Sequence, residues 1–158
     1  MAKKKRTDGD LRRAARHVAH DIRMLARAFD GRRDPFAYTA WFVHCRSVME
    51  FFRETTENSD DIIVSDFLPQ AITWSSLVQD THEPADYGNT KTAVNKLAAH
   101  LTFGRLEYEK GGKEKEVVPS EEITNYLLGL AYLFVDALPP QRRLWFGGRR
   151  VWFGGLWR

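Results

Sequence analysis

The sequence predicts an all-α protein, and three observations lead there. Apolar residues recur at helical spacing in four long stretches, which begin near Asp10, Asp34, Asn89 and Ser120. Capping and breaking residues bound these stretches. No stretch shows the strict polar–apolar alternation of a half-buried strand. The chain has 158 residues, 43% of them hydrophobic, which suits one domain with a substantial core. The expected architecture is a bundle of about four long helices, with a long irregular excursion between the second and the third.

Residues 1–9, "MAKKKRTDG", read as a disordered basic arm. Asp10 is the expected cap of a first helix running to about Asp30. Its apolar stripe is Leu11, Ala15, Val18, Ile22, Leu25 and Phe29, with arginines and histidines on the other faces, and Gly31 ends it. Asp34 caps the second helix and Pro35 takes its first position, where a missing N–H costs nothing. This helix, expected to reach about Thr55, is apolar almost all round through Trp41, Phe42, Val43, Val48, Met49, Phe51 and Phe52. Such a helix is central, with neighbours on several sides.

Residues 56–88 carry short apolar pieces, Ile62–Val64 and Phe67–Leu68, broken by Pro69 and acids. They predict one or two short helical turns in a surface excursion. The third long helix starts at Asn89 or Thr90 and is expected to reach about Glu107. The charged connector "EKGGKEKEVVP" follows. Ser120 caps the last helix, with Glu121 and Glu122 favourably placed in its first turn. Its stripe is Ile123, Tyr126, Leu127, Leu130, Phe134, Ala137 and Leu138, and Pro139-Pro140 stop it. The helical domain is thus expected over 10–138, followed by an Arg/Trp/Gly-rich tail over 139–158.

Composition narrows the function classes. A single cysteine, Cys45, can form neither an internal disulfide nor a cysteine zinc site, and this suits a reducing compartment; the expected location is the cytoplasm. The basic start is not followed by an apolar run, so no secretory signal is read there. The longest uncharged apolar run, "YLLGLAYLFV", has ten residues, well short of the ~20 that a membrane span needs.

Net charge is +3 but unevenly placed: +7 over residues 1–33, −9 over 34–138 and +5 over 139–158. A basic leading segment and tail on an acidic body can bind nucleic acid or an anionic surface. Equally, the basic first helix can lie across the acidic body of its own fold or of a twin subunit. The tail contains the tandem copies "RRLWFGG" and "RRVWFGG", then "LWR". Its Trp and Arg residues suit stacking on bases, phosphate pairing or a membrane interface, while its glycine pairs oppose a stable amphipathic helix. The plainer reading is an extension that is poorly ordered or folds back onto the bundle.

His17 and His20 lie three apart beside Asp21, a spacing that can present two imidazoles to a metal. A third ligand must come from elsewhere, and Arg13, Arg16 and Arg23 oppose a cation there, so neither metal nor cofactor is expected. Arg46, in the most apolar helix, needs a partner, and Glu50 is the local candidate. Cys45 beside it reads as core, and nothing around His82 specifies a role.

The third helix contains "AVNKLAAHLTFGR", with Val94, Leu97, Ala98 and Leu101 on its apolar stripe. His100 and Lys96 share one flank and Asn95 lies on the other. A cation one turn from a histidine favours neutral imidazole, the form a general base requires, and Lys96 could hold a phosphate.

"VNKLAAHLT" resembles the signature region of HEPN-domain proteins, small all-helical domains of bacterial toxin–antitoxin, abortive-infection and CRISPR-linked systems. "WFVHCRSVMEFF" followed by "NKLAAHLTFGR" is similar to a group of HEPN-like bacterial proteins, over roughly residues 10–138. The resemblance implies an intracellular, dimeric module in stress or phage defence, with an antitoxin protein as a possible partner. Many such domains are metal-independent ribonucleases whose motif pairs an arginine with a histidine four to six residues later. His100 takes the motif histidine, but the arginine position falls on Asn95, Val94 or Ala93, none of them basic. Lys96 is basic but stands too close.

In an active member the histidine assists proton transfer as the ribose 2′-OH attacks the phosphate, and the arginine stabilises the developing charge. Here Arg46 or Arg105 would have to replace it. The missing arginine favours a degenerate module that binds RNA or a protein partner. The alternatives are a ribonuclease using His100 with Asn95 and Lys96, and a helical protein with an unrelated structural role.

Overall fold

The computed structural model describes residues 6–56, 58–99 and 119–147, with the side chains of 97–99 left aside. Among the described residues the chain is all-α, with six α-helices and no strand. The helices are α1 (Asp8–Asp30), α2 (Pro35–Phe51), α3 (Trp74–Val78), α4 (Tyr87–Ala99), α5 (Glu121–Ala137) and α6 (Pro140–Arg143). Two 3₁₀ turns, Val64–Asp66 and Leu144–Phe146, complete the set. No helix among the described residues is long and apolar enough to cross a membrane.

The cap of α1 is Thr7, and Asp10 serves it from the third helical position. Thr7 Oγ1 accepts the Asp10 backbone N–H at 3.2 Å, and the Asp10 carboxylate accepts the Thr7 N–H at 3.2 Å. Hydrogen bonds from the Thr7 hydroxyl and from Arg13 hold the Asp10 carboxyl down at about 2. At the other end Gly31 closes the helix with φ −87°, so it is not there for a left-handed turn. A Cβ at Gly31 would meet the Ala37 Cβ at 3.1 Å, and the glycine lets α2 start hard against the end of α1. Asp34 caps α2 as its sequence suggests, accepting from the N–H groups of Phe36 and Ala37 at 2.9 and 3.0 Å.

α1 and α2 form the most extensive helix–helix contact, an antiparallel hairpin. α2 also packs on α4 and α5, the central position that its all-round apolarity predicts. Trp41 of α2 is fully buried and so must bond its indole N–H. It donates to Thr124 Oγ1 at 2.9 Å, and the Thr124 hydroxyl donates in turn to the Ser120 carbonyl at 2.7 Å. Ser120 Oγ accepts the Ile123 N–H at 3.3 Å, so the cap of α5 and the indole of α2 belong to one chain of hydrogen bonds.

The excursion after α2 is less superficial than its sequence suggests. Ile63, Val64, Phe67, Leu68 and Trp74 are all buried. The short apolar pairs carry no helical period, yet a 3₁₀ turn eclipses positions three apart and sends Val64 and Phe67 inward together. Trp74 lies flat on Phe52, with ring centroids 5.1 Å apart.

α4 begins at Tyr87, two residues before the expected Asn89, and buries Thr90, Ala93 and Val94. Tyr87 meets Tyr126 of α5 edge-on at 5.4 Å, and burial pushes both phenols up. The side chains of Leu97 and Ala98, all of Leu101, and the connector at 109–118 lie outside the described residues.

Leu138 ends α5, but the core continues beyond the 10–138 span. Phe146 is fully buried, edge-on to Phe134 at 5.1 Å and to Phe67 at 5.3 Å. The arginines of the first "RRLWFGG" copy are structural. Arg142 donates to the Phe67 carbonyl at 2.7 Å and to Asp8 Oδ1 at 3.2 Å. Arg143 donates to the Leu138 and Asp136 carbonyls at 2.7 and 2.6 Å, satisfying the last turn of α5. Gly147 then takes φ 84°, a left-handed conformation that suits glycine. The first copy thus folds back onto the bundle; the second copy lies outside the described residues.

Two outcomes follow from these contacts. Phe146→Ala should cost about 3–5 kcal/mol in urea unfolding, as removal of a buried ring does, whereas an unpacked tail would give under about 0.5 kcal/mol. Asp10 has a folded pKa of about 2 against an ordinary 3.8, so its ionised bonds contribute above pH 4 and are lost as pH falls through 2. The urea midpoint of the wild type should therefore exceed that of Asp10→Asn above pH 4, with the gap closing toward pH 2.

Candidate functional site

The hairpin of α1 and α2 brings together groups that sequence spacing leaves 23 residues apart. His44 Nδ1 of α2 lies 2.9 Å from Asp21 Oδ1 of α1. The His44 ring stands edge-on to His20, with centroids 5.8 Å apart. One ligand atom from each of His20, Asp21 and His44 lies within 4.8 Å of the other two. His20 is exposed, while Asp21 and His44 are half-buried.

A carboxylate beside Nδ1 fixes the imidazole. In neutral His44 the Nδ1–H donates to Asp21, which leaves Nε2 as the basic nitrogen and holds the ring at one angle. Spacing within α1 pairs His20 with His17 beside Asp21 and offers no third ligand from another helix. Yet Asp21 and His44 are equally distant from the middle of the four-residue link 31–34. In an antiparallel helical hairpin, equidistant positions face each other, and that symmetry is the signal that could have found the pair.

A second feature runs along the outer face of α1. At 100° per residue, Arg12, Arg16, Arg23 and Arg27 fall within about 60° of one another, and His20 lies at the edge of the same sector. Arg12, Arg16 and Arg27 are exposed and Arg23 is half-buried. Among the described residues none of these four is in an ion pair; Arg13, by contrast, is bound to Asp10 at 2.8 Å. The row from Arg12 to Arg27 is ~22 Å long at 1.5 Å per residue.

The residues singled out on α4 are only partly in view. Asn95 is half-buried and Lys96 exposed, while His100 and Arg105 lie outside the described residues. Arg46 is half-buried on α2, the helix that packs against α4. The expected Arg46–Glu50 pair is not formed: Glu50 pairs with Arg53, three residues on and just past the end of the helix. Cys45 is fully buried, and desolvation pushes its thiol up to about 12, which removes it as a nucleophile. His82 is exposed in its loop.

A cleft of about 330 Å³ at the start of α1 is lined by Arg6, Asp10, Arg13, Ala14, His17 and Ile62. Its cations are already engaged, Arg13 with Asp10 and Arg6 with the Ser59 carbonyl at 2.8 Å. It offers a ligand less than the hairpin cluster does.

No family model, curated protein or solved structure matches this chain.

The His44–Asp21 contact makes a direct prediction. In long-range ¹H–¹⁵N spectra of the metal-free protein above pH 8, His44 should be the Nδ1–H tautomer. Asp21→Ala should shift it toward the Nε2–H form that free imidazole prefers, with His17 and His82 unchanged.

Proposed function

We propose that this chain is a helical RNA-binding module of the HEPN-like kind, without cleaving activity of its own, and that the outer face of α1 is its contact surface. The observation that carries this reading is the row Arg12, Arg16, Arg23 and Arg27, four guanidiniums on one side of one helix without an acid paired to them among the described residues. Side chains in ion pairs gain little by exchanging an acid for a phosphate. An unpaired row gains the full counterion-release energy of each phosphate it neutralises. A row ~22 Å long matches several consecutive phosphates of one strand. The hairpin keeps that spacing fixed, because Ile22 and Leu25 on the core side of α1 and Trp41 of α2 are all buried.

The role in bacterial stress or phage defence rests on the resemblance of "VNKLAAHLT" to the HEPN signature. The non-cleaving character rests on the same frame, where Ala93, Val94 and Asn95 stand in place of the motif arginine. On this reading Asn95, Lys96 and Arg46 serve as further polar contacts to RNA, not as parts of a complete reaction centre.

The test is fluorescence anisotropy with mixed-sequence single-stranded RNA over a salt series. Four phosphate contacts predict a slope of log K on log salt of about −3. Replacing Arg12, Arg16, Arg23 and Arg27 together with Gln should weaken binding at least about tenfold and flatten the slope, with an unchanged circular dichroism spectrum. Equal binding by this variant would overturn the assignment of α1. A salt-labile dimer that retains no RNA would replace the reading with self-association through the acidic body. EDTA-resistant cleavage that disappears in His100→Ala would replace it with the ribonuclease.

A further inference from the structure

We infer that His20, Asp21 and His44 form a binding site for a divalent transition-metal ion of the zinc class. This goes beyond the RNA-binding reading and does not depend on it. Sequence spacing offers two imidazoles, His17 and His20, on one helix and no third ligand. The fold supplies a different set: two imidazoles and one carboxylate, drawn from two helices that pack tightly together.

The geometry fits a small coordination sphere. Two ligands each about 2.1 Å from one ion, at the tetrahedral angle, stand about 3.4 Å apart. His44 Nδ1 and Asp21 Oδ1 are 2.9 Å apart, so this pair needs to open by only about 0.5 Å. A ligand atom of His20 lies within 4.8 Å of one from each of the other two residues, on a side chain that is exposed and so free to turn toward them. When Nδ1 of neutral His44 coordinates, its proton is released and Nε2–H is taken up through solvent, so the ring charge does not change.

The donor chemistry selects the ion. Two imidazole nitrogens and one carboxylate suit zinc, cobalt, nickel or ferrous iron, whereas magnesium and calcium prefer oxygen alone. Three protein ligands leave a fourth position open, as in catalytic rather than structural zinc sites. Arg16 and Arg23 stand about one turn from His20 on either side and oppose a bare dication. Asp21 offsets one positive charge, and an anion at the open position, such as a phosphate or a carboxylate, offsets more. The site is therefore best matched to a metal carrying an anionic fourth ligand.

The support around the ligands is rigid. Ile22 and Cys45, each next to a ligand in sequence, are almost fully buried, so the backbone at Asp21 and His44 cannot drift apart without opening the core.

The experiment titrates the untagged full chain with Co²⁺ and then Zn²⁺, following d–d absorption and calorimetric heat, in buffer containing phosphate. The inference expects one equivalent bound, visible bands displaced by Zn²⁺, and a raised melting temperature with Zn²⁺. His20→Ala, at an exposed position where folding is not at stake, should weaken binding at least about tenfold, and Asp21→Asn and His44→Ala likewise. His17→Ala should leave binding unchanged. Loss of binding in His17→Ala with retention in His44→Ala would assign the metal to a surface pair on α1 and overturn the inference. Equal competition by millimolar Mg²⁺, or the absence of any saturable Co²⁺ signal, would overturn it as well.

Discussion

Phe134 is the point on which the packing depends. Its fully buried ring stands edge-on to Phe51, Phe52, Phe67 and Phe146, at centroid distances from 5.1 to 6.1 Å. Those four rings come from the end of α2, the excursion that follows it and the segment after α6. One side chain of α5 thus joins parts of the chain that sequence places far apart. Edge-to-face pairs are each worth about 0.5–1.5 kcal/mol beyond the area they bury, and they also fix ring angles. The irregular segments have little regular hydrogen bonding of their own, and their positions are set by these rings.

Around this centre the regular helices obey local rules. Thr7, Asp34 and Ser120 accept helix N–H groups, and Pro35 occupies the first turn of α2. Such signals are written in single residues and their nearest neighbours, which is why the all-α class and the starts of α2 and α5 are legible in sequence. The cap of α1 lies three residues before Asp10; Asp10 is as good a cap as Thr7 by type, and only the reciprocal bond distinguishes them. The buried excursion and the folded-back Phe146 were harder to read, because a 3₁₀ turn and two isolated aromatics carry no periodicity. Their burial is decided by packing against Phe134, which belongs to a different element.

The candidate sites divide in the same way. The arginine row on α1 can be drawn from the sequence by angle alone, since it belongs to one helix. Its availability could not, because the folded chain decides which arginines find partners: Arg13, Arg142 and Arg143 have the same side chain and are all engaged. The sequence also suggested a partner for Arg46 in Glu50, but the competing Arg53 is closer to that acid in the folded chain. The His44–Asp21 contact joins two helices, and spacing within either one is silent about it.

The four residues from Gly31 to Asp34 are consequently more than a connector. Loops at a protein surface usually tolerate an added or deleted residue. Here each residue gained or lost would slide α2 by about 1.5 Å along α1 and turn it by about 100° if the helical register were carried through. Asp21 and His44 would then part, although neither had been changed. The link is a ruler, and its length is as much a determinant of the histidine–aspartate centre as the identity of the residues that compose it.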